Sequence, residues 1–245
     1  MWWRVRAGIA PDHRQPTGSQ VSKVIQPLIY RVRRAVARHG LRGTAQRAGR
    51  RALRTLVSAE SHVWYALDLT CSRPERELAA GVTLRRAGER ESRLLDQLPT
   101  ISPADGAKRI RAGNDLWLAL EGDRPLFSCW IFREQTPVLA APGGQLRLPE
   151  GTVCLEDSVT SAAARGRGIA PAAWASIADS LADEGQNLMI TKITVENTPS
   201  RRAVEKAGFT SVALMHFRRL GPMRRTSIEL LDADRGRFFA DSLGG

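Results

Sequence analysis

Arg165-Gly166-Arg167-Gly168-Ile169-Ala170 is the stretch of this sequence best suited to chemistry. Two closely spaced glycines let the backbone take positive φ and pass close to a ligand. An amphipathic helix is expected directly after them, with Ala170, Trp174, Ile177 and Leu181 on its apolar side. A helix start aims free N–H groups and the positive end of its dipole outward. The combination is an anion site, most naturally for phosphate. Arg165 and Arg167 can add charge-assisted contacts.

Other reactive residue types are sparse. Cys71, Cys129 and Cys154 have no paired or ligand-like spacing, so neither a disulfide framework nor a metal centre is expected. Reduced thiols fit a cytoplasmic protein. Nothing beside Cys154 would lower its thiol pKa, which makes it core rather than nucleophile. His216, a histidine in a late strand, can serve as an acid or simply be structural.

The elements that position these residues follow in order. Val82 to Arg85 alternates as a strand, Glu89 to Leu98 fits a helix, and Ser102-Pro103 has the form of a helix start that ends at Gly113-Asn114. Residues 116–120 and 126–132 read as a hairpin turning at Glu121–Arg124. Residues 134–151, rich in proline and glycine, read as a long loop and a candidate substrate lip. A strand over 152–160 leads into the glycine stretch. After the helix come a strand over 188–195, a short helix over 199–207, and strands over 210–219 and 226–231. The expected fold is α/β, with a mixed, mostly antiparallel sheet flanked by helices.

Charge divides the chain. Residues 1–60 hold 13 Arg/Lys against Asp12 and Glu60, a net +11, whereas the other 185 residues hold 24 against 23. Val21, Val24, Ile25, Leu28, Ile29, Val32 and Val36 form one helical stripe, and a second basic helix follows Gly40. Such helices can lie on anionic lipid or an acidic partner, or dock on the domain with their arginines solvated. Aromatic interleaving and any nucleic-acid reader motif are missing, so no specific nucleic-acid partner is expected. Trp64 to Leu69 reads as a helix end or short bridging strand, and Ser72–Arg76 as a linker. The domain boundary is expected near residue 78, giving a basic, partly helical extension (1–78) and a globular domain (79–245).

The glycine stretch satisfies [Q/R]-x-x-G-x-[G/A], and downstream stand Asn197, Ser200 three residues on, and Gly208-Phe209. Both patterns, each after a strand and leading a helix, resemble the GNAT acyltransferase superfamily over roughly residues 80–232. The resemblance implies a GNAT fold and acetyl-CoA or another acyl-CoA as acyl donor. Pyrophosphate would rest on the N–H groups of Arg165, Gly166, Arg167, Gly168, Ile169 and Ala170. Backbone groups of Val159 and Thr160 would meet pantetheine or the thioester carbonyl, Asn197 would hydrogen-bond in the pantetheine region, and Ser200 would cap the short helix or reach the cofactor. It also implies a base on the strand before the loop, where Glu156 and Asp157 lie. Side chains alternate along a strand, so only one should face the cleft; Glu156 is favoured, with His216 as candidate acid. One departure stands out. Many family members carry Tyr four residues before the G-F glycine, where this sequence has Val204. The function implied is transfer of an acetyl group to a primary amine of a small molecule or peptide by direct attack. The alternatives are a longer acyl donor, on CoA or on an acyl carrier protein that the basic helices would suit, and a non-catalytic acyl-CoA-binding protein.

Overall fold

Leu116-Trp117-Leu118-Ala119-Leu120 and Leu126–Phe132 are apolar on both sides of the strand, a pattern that suits only a sheet covered on both faces. The computed structural model, which describes residues 57–244, has that arrangement. Residues 1–56, with the expected basic helices, lie outside the described residues.

The strands are β1 (Val57–Asp68), β2 (Val82–Ala87), β3 (Asp115–Glu121), β4 (Arg124–Phe132), β5 (Gln135–Pro137), β6 (Gln145–Arg147), β7 (Thr152–Thr160), β8 (Leu188–Thr194), β9 (Thr210–Leu220) and β10 (Met223–Leu230). The helices are α1 (Pro103–Arg111), α2 (Ile169–Asp183), α3 (Thr198–Lys206) and α4 (Ala233–Leu243), and Glu89–Gln97 is a 3₁₀ segment. Eight strands form one mixed sheet in the order β10-β9-β1-β8-β7-β4-β3-β2, while β5 and β6 pair separately. Every pairing in the large sheet is antiparallel except β7 with β8.

One face carries α2 and α3 over Val63, Tyr65, Leu67, Phe127, Ile131 and Leu155. The other carries the 3₁₀ segment, the 138–148 loop and α4 over Trp64, Trp130, Cys154 and Ile190. We call these the helix face and the loop face.

β1 is the main departure from the sequence reading. It is a twelve-residue strand set between β8 and β9, so the sheet already includes residues well before the boundary expected near 78. Its residues 62–67 are all buried, and a strand covered on both faces carries no alternation to read. The expected linker is pinned too: Arg73 donates to Leu69 O at 2.6 Å and pairs with Asp179 of α2 at 2.6 Å. A Cβ on Gly208 (φ +97°) would meet Pro74 Cδ at 3.2 Å. Glycine there allows both the turn after α3 and the close passage of this segment.

α4 was not expected from the sequence. Asp232 caps it, and its Phe239 ring stacks on Trp64 with centroids 4.5 Å apart. A Cβ on Gly236 would meet Val212 O at 2.5 Å, so glycine lets α4 lie directly on β9.

Candidate functional site

β7 and β8 run side by side from Thr152–Leu188 to Leu155–Thr191, and there the pairing ends. Beyond it β8 stays on β1, with His62 opposite Thr194, and β7 stays on β4. The two parallel strands therefore part, leaving a gap flanked by Glu156–Thr160 on one side and Lys192–Thr194 on the other. Thr191 Oγ1 donates to Leu155 O at 2.8 Å at the point of parting.

A bulge lies just past it. Trp130 faces Glu156 and Ser128 faces Val159, so Asp157 and Ser158 together oppose Cys129. Asp157 takes φ +48°, the left-handed region that a side chain tolerates only under local constraint. The extra residue cancels the alternation assumed from the sequence. Glu156, opposite Trp130, points to the loop face, and so does Asp157, whose Oδ2 accepts from Arg109 at 2.6 Å. Arg109 lies over Trp130 and Phe132, both on that face. Ser158 points to the helix face and accepts from Trp174 Nε1 at 3.2 Å. Thr160, opposite Phe127, shares the helix face, so Glu156 shares its face with Val159 and not with Thr160.

Glu156 is heavily engaged. Its Oε1 accepts from Lys192 Nζ, from Thr136 Oγ1 at 3.1 Å and from Cys154 Sγ at 3.5 Å. Both charged side chains are 13% exposed. Lys192 also donates to Pro137 O at 2.9 Å and sits over the Trp64 ring. The ion pair occupies the crotch where the strands separate.

Two further groups stand beside it on β1. His62 lies opposite Thr194, buried, and its Nδ1 has no hydrogen-bond partner among the described residues. Burial, with the Lys192 charge next, lowers its pKa to about 4, so the imidazole is neutral at physiological pH. Glu60 Oε2 lies 3.9 Å from His62 Nδ1, and burial raises the Glu60 carboxyl above its usual range against the pull of Lys192. The sequence reading missed Lys192 and His62. Lys192 left a signal, as a lone charge within Met189–Ile193. His62 left none, because β1 was not recognised.

His216 does not join this cluster. It lies on β9, two strands from β8, opposite Ser61 on the helix-face side, and its exposed Nδ1 is 2.8 Å from Ser61 Oγ.

The glycine stretch forms an open cradle. Gly166 (φ +77°) and Gly168 (φ +72°) are left-handed, with nothing within 4 Å of a Cβ at either position. Gly168 is the N-cap of α2. The N–H groups from Gly166 to Ala170 take no backbone acceptor among the described residues, and Pro171, third in the helix, has none to offer. Ser161 Oγ, just before the loop, is buried without a partner. Arg165 is exposed, whereas Arg167 is paired with Glu121 at 2.8 Å in the β3–β4 turn. An open row of donors at a helix start fits a diphosphate. Asn197 caps α3, its Oδ1 accepting from Ser200 N at 3.3 Å. Val204 is buried in the core beneath α3. A hydroxyl does come near from β1: Tyr65 donates to Glu205 at 3.0 Å and accepts from Arg201 at 3.0 Å. Burial pushes this phenol above its usual pKa, so it stays protonated.

Residues 92–209 match the family described as Acetyltransferase (GNAT) family. That stretch, just under half of the chain, carries a GNAT acetyltransferase domain. Solved structures show the same fold. A GCN5-related N-acetyltransferase from Sphaerobacter thermophilus is 14% identical, covering 76% of this chain and 57% of its own, with a TM-score of 0.50. A Drosophila protein is also 14% identical, over 74% of this chain and 58% of its own, with a TM-score of 0.50. A tandem GNAT protein of the clavulanic acid biosynthesis pathway matches 68% of this chain and 55% of its own, at 14% identity and a TM-score of 0.50. The chain thus spans less than two thirds of the length of those structures. Among curated proteins, none matches. Among the described residues no helix is long and apolar enough to cross a membrane, and no group of three His, Cys, Asp or Glu is arranged to hold a metal.

Proposed function

We propose that this GNAT domain is an N-acyltransferase that moves an acetyl group from acetyl-CoA to a primary amine of a small molecule or peptide. The observation that carries the reading is the parted β7–β8 pair joined to the open N–H cradle at the start of α2. The cradle takes the diphosphate, and the unpaired backbone past Leu155 takes the pantetheine arm as an added strand would. Acetyl-CoA supplies an activated thioester.

The amine nitrogen attacks the thioester carbonyl carbon, and the carbon–sulfur bond breaks. The ammonium proton goes to Glu156, directly or through water, and the thiolate takes a proton from solvent. Lys192 fixes the rotamer of Glu156. Neutral His62 adds no second positive charge beside Lys192. Tyr65 keeps its proton and is engaged on α3, its hydroxyl donating a hydrogen bond to Glu205.

Titration with acetyl-CoA in a calorimeter, and thiol release across a panel of amines, test this. Saturable binding that Gly168→Trp abolishes, with thiol release dependent on an amine, is the expected outcome. Absence of acyl-CoA binding, or binding indifferent to Gly168→Trp, overturns it.

A further inference from the structure

The β9–β10 hairpin carries a charge arrangement that the acyl-transfer site does not use. Arg218 lies directly opposite Arg225, and Arg219 directly opposite Arg224, so each face of the hairpin holds one pair of like charges. Like charges directly opposite each other destabilise a sheet. Glu229, the one acidic residue among 210–231, is at the far end, opposite Leu214. Arg218, Arg224 and Arg225 are exposed, and Arg219 Nε turns in to Gly221 O at 3.1 Å.

Beyond these pairs the tip presents Leu220, 64% exposed, and Met223, 73% exposed, about the Gly221-Pro222 turn. Large apolar side chains at a hairpin tip, ringed by arginines on an edge of the sheet, are costly in water. Their chemistry suits a boundary between anionic headgroups and hydrocarbon. A nucleic acid or an acidic protein would neutralise the arginines but leave Leu220 and Met223 in water.

The point of chain entry adds to this. Val57 pairs with Leu220, so β1 starts beside the tip, and the sequence ahead of Val57 holds 13 Arg/Lys against Asp12. The tip also lies at the end of the sheet where β7 and β8 part. It stands five residues beyond His62 and Thr194, roughly 17 Å of strand at the usual rise.

We propose that the β9–β10 hairpin tip docks on an anionic lipid surface. Leu220 and Met223 enter the headgroup boundary, and Arg218, Arg219, Arg224 and Arg225 pair with lipid phosphates and carboxylates. Docking holds the parted strands close to the bilayer. The inference is independent of the acyl-transfer reading.

The test is co-sedimentation of the full chain with vesicles of phosphatidylcholine alone and with about 30% phosphatidylserine, at about 0.15 M salt. The full chain should bind the anionic vesicles and not the neutral ones. Leu220→Ser with Met223→Ser should weaken that binding by about tenfold or more. Arg218→Gln with Arg225→Gln should weaken it and flatten its salt dependence. Melting curves check that the variants fold. If they do not, a fluorophore on Met223→Cys in a Cys71→Ser chain gives the second readout, its emission shifting to the blue on anionic vesicles. No binding to anionic vesicles, an unshifted fluorophore, or folded variants that bind as well as the parent overturns the proposal. So does tight binding to duplex DNA or polyglutamate with no binding to vesicles.

Discussion

Lys192 of β8 donates to Glu156 of β7 one residue past the last backbone pair between the two strands, Leu155 with Thr191. A side-chain ion pair thus takes over where the ladder stops. It closes the loop-face side of the gap while the helix-face side keeps Ser158 and Trp174 in contact.

The pair separates stability from turnover. Lys192→Met leaves a buried carboxylate with only Thr136 and Cys154 for partners, and breaking such a pair costs about 3–5 kcal/mol. Glu156→Gln costs less, because Lys192 keeps Pro137 O and the Trp64 ring. It should nevertheless lower kcat more than Lys192→Met does, by about a hundredfold or more for a lost base. Urea unfolding and steady-state rates on both variants check the ordering. Equal kinetic losses would remove Glu156 from the proposed role.

His62 gives the domain an acid-sensitive window. Its folded pKa of about 4 lies below the ordinary 6.5, so between those values the unfolded chain binds the extra proton. Its contribution is complete above pH 6.5 and is lost as pH falls toward 4, amounting to about 3 kcal/mol at about 1.4 kcal/mol per pH unit. Glu60, Lys192 and Glu196 face the same imidazole; the raised Glu60 carboxyl acts in the opposite sense. Unfolding free energies from pH 7 to 4 should fall less steeply in His62→Leu. An unchanged slope would show that His62 does not titrate in this way.

Tyr65→Phe should loosen α3 without touching the N–H cradle at the start of α2. Losing the hydroxyl leaves Arg201 and Glu205 short of one partner each, worth about 1–2 kcal/mol. The urea midpoint should drop while acetyl-CoA affinity stays within about twofold, since the cradle residues are untouched. A large loss of turnover at unchanged affinity would instead make Tyr65 part of the chemistry.

Gly236→Ala should lift α4 off the sheet. The added Cβ meets a backbone oxygen, Val212 O, at 2.5 Å, and overpacking of this kind costs about 1–3 kcal/mol. Hydrogen exchange should report lost protection across Ala233–Leu243 and at Trp64, whose ring Phe239 covers.

Much of this was legible in the residues. Two glycines ahead of an amphipathic helix, and Asn197 to Phe209 after a strand, identify a GNAT domain, because positive φ and helix capping are local demands that local sequence must meet. Val204 announced the missing hydroxyl for the same reason. The tertiary structure decided what depends on neighbours distant in the chain. β1 is a central strand only because β8 and β9, 120 or more residues later, hydrogen-bond to its two edges. The bulge at Asp157 arises from pairing with β4, and it turned two carboxylates to one face against the expected alternation. His62, Lys192 and Glu156 meet across three strands, while His216 is left on the far side of the sheet. Local sequence sets the donor cradle; the order of strands in the sheet sets which charges stand beside the gap.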